Sequence, residues 1–73
     1  MMPLAIAPED QILEVVRLGG SPEAKKRLEE LGISVGGHLS IVSRSGDHVI
    51  LKVRESRIAL GREWVNRVQV KEA

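Results

Sequence analysis

Three side chains in this sequence have the chemistry of a divalent metal site: His38, Asp47 and His48. Imidazole and carboxylate groups suit first-row divalent ions. Asp47 and His48 are neighbours at the tip of an expected strand pair, and His38 begins the first of its strands. About six residues of strand, roughly 20 Å at β rise, separate the two imidazoles. One intrachain site cannot use both. A two-ligand site completed by a second chain, as in a weak homodimer, fits the spacing. A divalent transition metal ion is therefore the cofactor class with residues in its favour, and no cofactor site is assigned.

Catalytic chemistry has less support. There is no cysteine, so there is no thiolate nucleophile and no thiolate zinc site. The serines fall in turn-like or alternating positions, and neither histidine stands in a triad-like motif. Gly19-Gly20 precedes a helix start, but neither GxGxxG nor GxxxxGK[ST] occurs. An anion can bind at such a start in principle, yet Ser21-Pro22 reads as the entry of the helix itself. The expectation is a non-enzyme.

Charge and aromatic content narrow the partners. Eleven basic residues nearly cancel ten acidic ones, and Trp64 is the sole aromatic residue. Single-strand nucleic-acid binders stack bases on aromatic platforms in positive grooves, and proline-rich peptide grooves are also aromatic-lined. Both classes are disfavoured, so no nucleic acid is expected. Met1 to Ala7 is too short to span a membrane. It lacks a basic leader and runs straight into Glu9 and Asp10, unlike a secretory signal. A cytoplasmic chain without membrane insertion is expected. The charge is unevenly placed. Residues 1–40 hold four basic and six acidic residues, net −2, and residues 41–67 hold six and three, net +3. Such a split suits a protein-docking surface.

The elements that must position these residues follow from Gly and Pro punctuation. In 73 residues there is room for one thin-cored domain, 1–73. Nine of the 23 Leu, Ile and Val residues are Val, which favours strands. Gln11 to Leu18 reads as a strand ended by Gly19-Gly20; the start of a longer helix is the alternative, and the glycine pair opposes it. Ser21 caps a helix with Pro22 at its first position. Ala24, Leu28 and Leu31 form its apolar stripe, and Gly32 ends it. His38 to Arg44 and His48 to Arg54 read as a hairpin. A loop of Gly46-Asp47 alone would throw Leu39/Ile41 and Val49/Leu51/Val53 onto opposite faces. A three-residue loop, Ser45-Gly46-Asp47, puts them on one face. It also places Val42 opposite Ile50 on the outer face, to be covered by the helix stripe or by a partner. Arg57 to Leu60 is a third antiparallel strand, residues 62–66 a helical turn carrying Trp64, and Val68 to Val70 a last strand. The fold expected is mainly β: a small five-stranded barrel with one α-helix over about residues 22–31.

Read together, Gly19-Gly20, Arg27-Leu28, Leu31-Gly32-Ile33, Gly36, Gly46-Asp47, Val49-Ile50-Leu51 and Arg57-Ile58-Ala59-Leu60-Gly61 give a string that resembles the FeoA family, the small ferrous iron transport protein A domains of prokaryotes. Pro3-Leu4 and Val68-Gln69-Val70 look like the family's ends, so the resemblance covers nearly the whole chain. It implies an SH3-like barrel and a regulatory role beside ferrous iron transport protein B, the GTPase-bearing membrane transporter, as partner. Similar domains end some metal-dependent repressors, which keeps a metal-ion-sensing domain, acting as a dimer, as the alternative. Two departures stand out: Ser45-Gly46-Asp47 replaces a longer Pro-Leu-Gly-Asp stretch, and Trp64 sits where small or aliphatic residues are usual. The candidate partner contacts are Val42, Arg44, Gly46, Asp47, His48 and Ile50.

Overall fold

The computed structural model describes residues 1–73. Its strands are β1 (Met2–Pro3), β2 (Leu13–Leu18), β3 (His38–Ser45), β4 (His48–Val53), β5 (Ser56–Gly61) and β6 (Val68–Glu72). The helices are α1 (Pro22–Glu30) and the single turn α2 (Arg62–Val65), with a 3-10 turn at Leu4–Ile6. The strands form one antiparallel sheet in the order β1-β6-β2-β3-β4-β5. It wraps an entirely apolar core in which Leu4, Leu13, Leu28, Ile41, Leu51, Val68 and Val70 are fully buried. The expected mainly-β architecture with one substantial helix is present. A sixth strand, β1, joins the five expected; it pairs Met2 with Val70 and Pro3 with Gln69. Two residues are too few to show any periodicity.

The hairpin forms by a different route from the one expected. Ser45 pairs with His48, so the loop is Gly46-Asp47 alone and not three residues. Gly46 takes φ +58° as the first of the two loop residues, the position that type II′ hairpin turns give to glycine. The parity problem is solved inside the strand. The register slips between Ile41, opposite Leu51, and Ser43, opposite Ile50. Val42 is therefore the extra residue of a β-bulge, which resets the alternation by one. Leu39, Ile41, Val49, Leu51 and Val53 all end up buried on one face, as the pattern demands. The expected Val42–Ile50 pair does not exist: Ser43 faces Ile50, and Val42 and Ile50 are each half-buried.

A second bulge accounts for the broken alternation of β2. Val15 pairs with Val70 but Arg17 with Gln69, leaving Val16 over. Leu13, Val15 and Leu18 are consequently buried while Arg17 turns to solvent.

Helix α1 begins as expected: the Ser21 hydroxyl accepts a 3.1 Å bond from the Ala24 N–H, and Pro22 is the first helical residue. Its end corrects the stripe. Leu31 is exposed, and Ile33 takes its place in the core. The Ile33 N–H reaches the Leu28 carbonyl at 3.0 Å and the Gly32 N–H reaches Glu29 at 2.9 Å, the two bonds of a Schellman motif with its Leu28–Ile33 apolar pair. Gly32 holds φ +94°, and a Cβ there would lie 3.1 Å from Val53 Cγ1. Gly32→Ala is expected to cost about 1–3 kcal/mol through this strain, read as a lower urea midpoint at unchanged slope. A loss below the error of the measurement would show that the cap relaxes freely.

Candidate functional site

The candidate residues from the hairpin gather at one end of the sheet, where the β3–β4 tip meets α2 and the 3-10 turn. The two-residue turn holds Asp47 and His48 out at this end. On β4, His48 pairs with Ser45 on one side and Gly61 on the other. Gly61 leads directly into α2, so the strand pairing carries Arg62 to the tip. The carboxylate of Asp47 accepts a hydrogen bond from the guanidinium of Arg62, and both side chains are exposed. Asp47, His48 and Arg62 together line two adjoining clefts. One, of about 160 Å³, is closed by Ala5, Arg44 and Val65. The other, of about 550 Å³, is bounded by Ala59, Glu63 and Trp64.

Arg44 does something the sequence did not suggest. Its guanidinium donates to the Ala7 carbonyl at 2.6 Å and to the Ala5 carbonyl at 3.2 Å, with Leu4 O at 3.5 Å. A further bond of 3.3 Å reaches Glu9 Oε2. The side chain thus fastens the 3-10 turn to the hairpin, and its donors face the chain's own backbone. Of the other partner candidates, Gly46 shapes the tip, and Val42 and Ile50 lie half-buried along the two strands behind it. The residues missed from sequence are Arg62 and Glu63. Nothing local marks them; they reach the tip only through the β4–β5 pairing.

The metal candidates do not come together. His38 lines a separate cleft with Ile12, Leu39 and Lys52, while Asp47 and His48 share the tip with Arg62. No group of three or more His, Cys, Asp or Glu side chains is placed to hold one ion. No helix is long and apolar enough to cross a membrane.

Residues 2–72 match the FeoA domain family. The chain is 32% identical, over its whole length and 89% of the relative, to a Methanocaldococcus jannaschii protein named as a candidate Fe(2+) transport protein A. A crystal structure of an iron uptake regulatory protein, FeoA, is similar at TM-score 0.88 and 25% identity, covering 99% of this chain and 96% of that one. ScaR, a protein solved with bound Zn2+, shares the fold at TM-score 0.89 and 19% identity; this chain spans 37% of it. The sheet described above is accordingly the SH3-like fold of these structures.

Proposed function

Because the chain belongs to the FeoA domain family, and so to proteins of ferrous iron transport, we propose that it is a cytoplasmic, non-enzymatic accessory that docks on the cytosolic part of the ferrous iron transporter. The whole-chain family match carries this reading. The hairpin-tip surface formed by Gly46, Asp47, His48, Arg62 and Glu63 is the docking face. Two clefts adjoin there, and charges of both signs stand exposed on short, braced elements. A face of that kind specifies a partner through complementary charge more than through buried area.

The test is a titration of the chain against the purified cytosolic GTPase domain of the transporter, in nucleotide-free, GDP-bound and GTP-analogue-bound forms. Saturable binding in at least one form is expected. Replacing the acid of the exposed pair with Asp47→Arg should weaken it about tenfold or more, since like charges set against each other at an interface cost several kcal/mol. Absence of binding in all three forms would refute the docking. Binding untouched by Asp47→Arg would move it to another face.

A further inference from the structure

The end of α2 holds a pair of residues beyond the charged docking set. Arg67 follows α2 and lays its guanidinium over the Trp64 ring, 5.3 Å from the centroid. Its Nη1 and Cδ occupy the space a Gly20 side chain would need: a Cβ there would lie 2.9 Å from Nη1 and 3.4 Å from Cδ, at a backbone φ of +103°. A side chain at position 20 would push the guanidinium away. The Arg67 backbone is pinned as well: its carbonyl accepts a 2.7 Å bond from the Gly19 N–H, and its N–H reaches the Trp64 carbonyl at 3.1 Å. This arginine is half-buried and braced on two sides, yet no carboxylate lies within ion-pair distance of it; the chain's ion pairs belong to Arg44 and Arg62.

A second arginine shares its cleft. The Val16 bulge turns Arg17 to the solvent side of β2, opposite Gln69 of β6. Arg17, Gly19, Gly20, Asn66, Arg67 and Gln69 line one open cleft of about 440 Å³ without a single acidic side chain. Two guanidinium groups on one cleft with no counter-charge repel each other. A planar fork matches phosphate or carboxylate oxygens with two parallel bonds. The amides of Asn66 and Gln69 add neutral donors. Bulges are frequent beside functional sites because they re-aim a side chain, and this one aims Arg17.

We propose that this cleft binds an oxyanion group, phosphate or carboxylate, through Arg17 and Arg67, with Trp64 and Gly20 holding the Arg67 fork in place. The site borders the tip clefts at Trp64 and Asn66, but its arginines line neither of them, and its ligand is recognised by charge and fork geometry. Trp64 is the only aromatic residue, so its emission reports directly on the guanidinium stacked over it.

The experiment titrates the whole chain with inorganic phosphate and, in a second arm, with succinate, at low and constant ionic strength, following Trp64 fluorescence and heat. Saturable binding of one or both is expected, and the stronger arm names the oxyanion. Raising salt should weaken it, as for any exposed charge pairing. Arg17→Gln and Arg67→Gln should each weaken binding about tenfold, the scale of one lost charge-assisted bond. Arg67→Lys should restore only part, because the fork is gone. Arg54→Ala, at the tip of the β4–β5 turn, should leave binding unchanged. Each variant is first shown to unfold at a urea midpoint near that of the parent. No saturable signal in either arm would overturn the proposal. So would binding that survives the Arg17→Gln, Arg67→Gln double substitution. Neither result depends on the transporter, so docking stands or falls separately.

Discussion

Leu51→Ala should cost the chain about half of its resistance to urea. Leu51 is fully buried on β4, the strand between β3 and β5, where it faces Ile41 on one side and Ile58 on the other. Removing a buried Leu side chain costs about 2–5 kcal/mol, the higher figures applying where the site cannot collapse. Here both flanking strands are held in register by the ladder, so the cavity stays open. A domain of this size has a total stability of roughly 4–10 kcal/mol. No disulfide offsets the loss, and every buried residue but Ala24 belongs to one apolar cluster. The substitution therefore removes a third or more of the whole. Urea denaturation followed by far-UV circular dichroism should show a midpoint about halved at unchanged slope. Leu51→Met, which conserves volume, should lose less than about 1.5 kcal/mol. Equal losses for the two would mean that burial at this position does not limit stability.

That core was readable in the sequence because alternation is a property of the apolar residues themselves. Leu39, Ile41, Val49, Leu51 and Val53 had to share a face, and they do. The device that brings them there was not readable. One loop residue more, or one bulge at Val42, gives the same parity, and the alternation alone does not distinguish them. The energies of turn and bulge do: Gly46 at φ +58° permits a two-residue turn, and that turn requires the bulge. The same ambiguity hid the Val16 bulge behind two adjacent valines. Leu31 against Ile33 is a related case. The helical period favoured Leu31, but Gly32 reverses the chain and hands the core position to the residue beyond it. Long-range contacts were the least legible. Asp47 meets Arg62, and Arg44 meets the 3-10 turn, only because strand pairing brings distant segments together. The Arg67–Trp64 stack is different. Its i, i+3 spacing across the end of a helical turn is a local signal, and it would have given the lone aromatic residue a role.

Arg44→Ala should produce the second-largest loss, and its cause can be separated. The guanidinium makes two kinds of contact: an ion pair with Glu9, and bonds to carbonyls of the 3-10 turn region, the shortest 2.6 Å to Ala7. The pair is exposed on both sides, at 32% and 44% side-chain accessibility. Solvent screening limits such a pair to about 0–1 kcal/mol. The carbonyl bonds come from a charged donor, those to Ala7 and Leu4 are part-buried, and together they carry about 1.5–3 kcal/mol. They also hold the turn that seats Leu4, which is fully buried. Arg44→Ala is thus expected to cost about 2–3 kcal/mol, and Glu9→Gln less than about 1. Hydrogen exchange should localise the difference. In Arg44→Ala the Ala7 amide, bonded to Leu4 O at 3.2 Å, should lose protection before the amides of β4 do. Added salt should leave the Arg44→Ala deficit nearly intact, because the bonds that matter are not between two charges. Equal losses for the two substitutions would assign the clamp to the ion pair instead.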